Sequence, residues 1–67
     1  MPEGVTLLVG TYADVHDAQK KLGDIPSEIR AVPNSYKDLA LVVDDLFEME
    51  ARKRLNLIKE EANEKLH

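Results

Sequence analysis

Four groups of residues have types and spacings that could do chemistry. His16 lies between Asp14 and Asp17, and an imidazole beside carboxylates could bind a metal or move protons. Glu64 and His67 repeat the E-x-x-H spacing of carboxylate-bridged di-metal sites. Asp44, Asp45 and Glu48 cluster after an apolar run, where open α/β sheets often place ligands. Arg52, Lys53 and Arg54 form the only basic run. Each group also has a plainer role. Asp14 and Asp17 suit the cap and N3 positions of a helix, which puts His16 on an exposed first turn. A di-metal site needs further Glu and His ligands from other helices. The acids at 44–48 complement the N-terminus of a following helix. Three basic residues preceded by acids make a weak phosphate or lipid contact. No phosphate-loop glycine spacing, nucleophile–base pair or oxyanion motif is readable, and there is no cysteine for a disulfide or thiolate site. The expectation is a protein that is not an enzyme and holds no cofactor or metal.

The chain has 67 residues, with 13 acids against 9 bases and a net charge of −4. An acidic chain is not expected to bind nucleic acid, whose phosphates reward a basic face. No apolar run reaches the roughly 18 residues of a membrane span. The opening Met-Pro-Glu-Gly lacks the basic region of a signal peptide. With the missing cysteines, this points to a cytoplasmic protein. The length implies one domain over 1–67, which buries only about 60% of its extended-chain surface when it folds alone. Core and chain entropy then nearly balance. Very regular packing or association with another chain must supply the remainder.

The elements that would carry these groups follow from periodicity. Residues 5–12 read as a strand, with Val5, Leu7 and Val9 on one face and Thr6, Leu8 and Tyr12 on the other. A helix follows, capped by Asp14, with Val15, Ala18 and Leu22 as its buried stripe. Lys20 and Lys21 sit in its last turn, and Gly23 ends it. Residues 24–34 read as a connection with one helical turn over 27–30. Ser35 and Asp38 resemble a capping box, while 39–43 is a short apolar run typical of a buried strand. A strand over 38–43, parallel to the first through a right-handed crossover, is favoured. The alternative is one helix from Tyr36 to the end, with the first strand paired to its own copy. Residues 45–66 read as a long helix, supported by the acid-before-base pairs Glu48–Arg52, Glu50–Arg54 and Glu61–Lys65. The expected fold is α/β, a small strand-helix-strand-helix unit completed by homo-oligomerisation.

A helix of about 22 residues runs roughly 33 Å, against a diameter of about 28 Å for so small a domain. Its stripe of Ala51, Leu55, Ile58, Ala62 and Leu66 therefore overhangs the globule and is the expected self-association surface. Residues 34–50 carry five acids and one base, and 51–67 carry five bases and three acids. That reversal suits the helix dipole, and it also suits an antiparallel second copy.

The string TLLVGTYADVHDAQ, Thr6 to Gln19, resembles the first strand and helix of a bacterial family known only as a domain of unknown function. The family is common in actinobacteria and often predicted to be membrane-linked. DLALVVDD and EMEARKRL, within 38–55, are similar to its later strand and helix, whereas its longer glycine-rich middle section has no counterpart here. The resemblance implies a condensed strand-helix-strand-helix core and supplies no catalytic residues. The expected function is a non-catalytic, self-associating interaction module, whose partner is itself or another protein. A ribbon-helix-helix DNA-binding dimer and a small acidic inhibitor are the alternatives. The first of these lacks Lys, Arg, Asn or Gln on its reading strand.

Overall fold

Apolar and β-branched residues between two glycines form β1 (Gly4–Gly10). In the computed structural model, which describes residues 4–57, it leads through Thr11 into α1 (Tyr12–Leu22). Thr11 is the helix cap. Its Oγ1 accepts from the Asp14 amide at 3.2 Å, and the Asp14 carboxylate accepts from the Thr11 amide at 3.4 Å. The cap thus lies three residues earlier than expected, with Asp14 at N3. The stripe of Val15, Ala18 and Leu22 is buried as read, and Lys20 and Lys21 occupy the last turn. Gly23 follows with φ 61°, a left-handed backbone that favours glycine.

The segment read as a connection contains a strand. β2 (Glu28–Val32) replaces the expected helical turn at 27–30. Pro33 and Asn34, the latter at φ 67°, turn the chain into β3 (Ser35–Asp44). The strand expected at 38–43 is therefore present and longer, and the uninterrupted helix from Tyr36 is not. Ser35 and Asp38 do bond reciprocally: the Asp38 amide donates to Ser35 Oγ at 3.3 Å, and Ser35 Oγ–H donates to the carboxylate at 3.1 Å. They close a bulge in β3, because Val32 pairs with Ser35 while Ala31 pairs with Leu39. A signature common to helix caps here serves a strand.

The sheet order is β1-β3-β2, and both pairings are antiparallel. This corrects the expected parallel pair. The strand that returns through α1 in the direction of β1 is β2, and β3 lies between them as in a split β-α-β unit. The central strand needs hydrogen-bond partners on both sides, and β2 supplies the second set. A mixed α/β fold results.

In β1 the register slips by one residue between Thr6 and Leu8. Leu7 is the extra residue, so Leu7 and Leu8 both turn toward the helices instead of alternating. Val9 moves to the opposite face and is 52% exposed. The strand is thus covered by helices on one face. Leu7, Val15, Leu22, Ile25, Leu41, Val43 and Ala51 form the core, in which Leu22, Leu41 and Val15 are fully buried.

After β3, one 3-10 turn (Asp45–Phe47) leads into α2 (Glu48–Arg54). The pairs Glu48–Arg52 and Glu50–Arg54 form at 2.9 and 3.3 Å. The long helix is interrupted, however. Asn56 adopts φ 61°, its amide donates to the Lys53 carbonyl at 3.0 Å, and the Leu57 amide donates to the Arg52 carbonyl at 2.8 Å. This is a Schellman stop. The overhang drawn from a helix of about 33 Å does not arise from α2, whose seven residues end at Arg54.

Candidate interaction surface

Most of the chemistry-bearing residues have local structural partners. Asp14 is bound to the Thr11 cap. His16 packs its ring on Tyr12, with centroids 4.2 Å apart. Asp44 Oδ1 accepts from the Leu46 amide at 2.9 Å and so caps the 3-10 turn, while Glu48 holds Arg52. Glu64, His67, Glu61 and Lys65 lie outside the described residues, among which no three His, Cys, Asp or Glu side chains gather closely enough to hold a metal ion.

The basic run divides the same way. Arg52 is paired and Lys53 is exposed. Arg54 clamps the two helices together: its Nη1 donates to the Leu22 carbonyl at 2.7 Å and to Asp24 Oδ1 at 2.8 Å, and its Nε donates to Glu50. A cation at the end of α1 also meets the negative end of that helix dipole. The Arg54 hydrogen bond, helped by a backbone amide and by the Arg54 charge, holds the Asp24 carboxyl below its ordinary range. Nothing in the sequence, beyond the position of Asp24 after a helix-ending glycine, signals this clamp.

The stripe expected to drive self-association is split. Ala51 is fully buried in the chain's own core, and Leu55 packs partly buried against it. Ala51 therefore cannot form an external surface. Ile58, Ala62 and Leu66 lie outside the described residues.

The sheet itself offers another candidate. α1 and α2 pack on the sheet face formed by Leu39, Leu41 and Val43; Ala40 and Val42 point to the other face, where no described helix packs, yet both are buried. Beside Val42 on that face, Glu28 and Arg30 of β2 bond at 3.0 Å. A cleft of about 270 Å³ runs between these two residues, Gly4, Val42 and Asp44. Among the described strands, β1 and β2 are both sheet edges. Comparisons with protein-family models, curated proteins and solved structures return no match. No described helix is long and apolar enough to cross a membrane. Large apolar side chains do face outward: Tyr36 on the β3 bulge is 97% exposed, and Leu46 and Met49, three residues apart, are 86% and 73% exposed.

Proposed function

We propose that this chain is a non-catalytic, self-associating interaction module whose contact surface is the incomplete sheet rather than the C-terminal helix. The observation that carries the reading is the sheet itself. Among the described residues it has three strands, helices packed on one face, and two edges without a further strand. An exposed edge presents a row of backbone donors and acceptors to another chain. Tyr36, almost fully exposed on the β3 bulge next to the turn from β2, adds a large apolar side chain near one of these edges. A ribbon-helix-helix dimer is not supported, since β1 already pairs with β3 of its own chain.

Sedimentation equilibrium and thermal melts over a dilution series test this. Assembly linked to folding makes the melting temperature rise with protein concentration. A parent chain that stays monomeric at about 100 μM, with a melting temperature independent of concentration, overturns the proposal.

A further inference from the structure

We infer that the second copy docks edge to edge on β2, in an antiparallel register centred on Ile29 that joins two three-stranded sheets into one. The inference rests on the self-association reading and specifies its geometry. β2 is the better edge of the two. The β1 edge is interrupted by the bulge at Leu7, which bends a strand and spoils it as a template. β2 pairs regularly with β3 from Glu28 to Ala31.

Charge selects the register. A two-fold axis perpendicular to the sheet keeps the helices of both copies on one side, and it places residues of like parity opposite each other. Centring it on Ile29 sets Glu28 opposite the partner's Arg30, and Arg30 opposite the partner's Glu28, in two identical opposite-charge pairs. Directly opposed residues on one face lie about 5 Å apart at Cβ, within ion-pair reach for these side chains. Centring on residue 28 sets Glu28 against the partner's Glu28, and centring on residue 30 sets Arg30 against the partner's Arg30. Both registers are repulsive. Glu28 and Arg30 already form an exposed pair within the strand, so assembly extends an existing alternation and does not bury a lone charge.

Charge reversal separates this from other modes of association. In Glu28→Arg both positions are basic, and in Arg30→Glu both are acidic, so each variant opposes like charges in its own dimer. Each is expected to dissociate at least tenfold more readily than the parent. An equimolar mixture restores both opposite-charge pairs, and a heterodimer of parental affinity is expected from sedimentation and native mass spectrometry. Hydrogen exchange on the parent gives an independent reading: alternate amides over residues 28–32, those turned away from β3, are expected to slow as concentration rises. Variants that assemble as well as the parent, a mixture that does not assemble, or β2 amides indifferent to concentration overturn the Ile29 register while leaving self-association standing. A monomeric parent overturns both.

Discussion

A methyl group added to Gly4 would collide with Val42 Cγ1, because this branched side chain of the central strand leans across the first residue of β1. Valine has few rotamers to escape into. Gly4→Ala is therefore expected to destabilise the fold by about 1–3 kcal/mol, the usual cost of overpacking. Gly10→Ala provides the comparison. There the nearest atoms, at 3.2 and 3.3 Å, belong to the Asp14 side chain near the helix cap, which is exposed and can adjust. Urea unfolding of the two variants should rank Gly4→Ala as the more damaging; equal midpoints would refute this account of the strand start.

Between elements, the Arg54 clamp is the principal polar tie, joining the end of α1 to α2. It makes stability depend on pH in a definite direction. The Asp24 carboxyl is depressed in the folded chain relative to its ordinary value of 3.8. The folded state thus favours the ionised form, and the contribution is present above that ordinary value. It is lost as pH falls through the lower folded value. Asp24→Asn should melt below the parent at neutral pH, and the gap should close as pH drops below about 4. Asp24 is almost fully exposed, so added salt should narrow the gap as well. A gap of constant size from pH 7 to pH 2.5 would show that the ion pair does not link the helices in solution.

For the whole molecule, the decisive quantity is how little core there is. At about 0.05–0.15 kcal/mol per residue, a chain of this length has a stability of about 3–10 kcal/mol. Leu41 lies at the centre of the middle strand, fully buried between α1, α2 and both flanking strands. Leu41→Ala should cost about 2–5 kcal/mol, a large part of that total. Leu46→Ala removes a side chain that is mostly in solvent and should stay within about 0.5 kcal/mol of the parent. Circular dichroism at ambient temperature, with and without modest urea, distinguishes the two variants. A Leu41→Ala chain as stable as the parent would mean that the core lies elsewhere.

Local pattern alone determined the α1 stripe of Val15, Ala18 and Leu22, the strand at 38–43 and the pairs Glu48–Arg52 and Glu50–Arg54, because each depends on residues within a turn or two of one another. The same short range explains the errors. Ser35 and Asp38 bond to each other as the sequence implies, yet the bond closes a strand bulge, since only the partner strand decides whether the backbone there is coiled or extended. Positions 28–31 alternate polar and apolar residues, but two flanking prolines hid a strand that exists because β3 needs a second neighbour. One inserted residue at Leu7 reversed the facing of Leu8 and Val9, which no reading of strict alternation can foresee. The helical period continues past Arg54 in the sequence, while the chain turns at Asn56 into a left-handed stop. Ala51 fits an outward stripe by spacing, and it is buried inward because the sheet lies on that side of the helix. Periodicity tells which residues share a face; only the assembled sheet decides what that face meets.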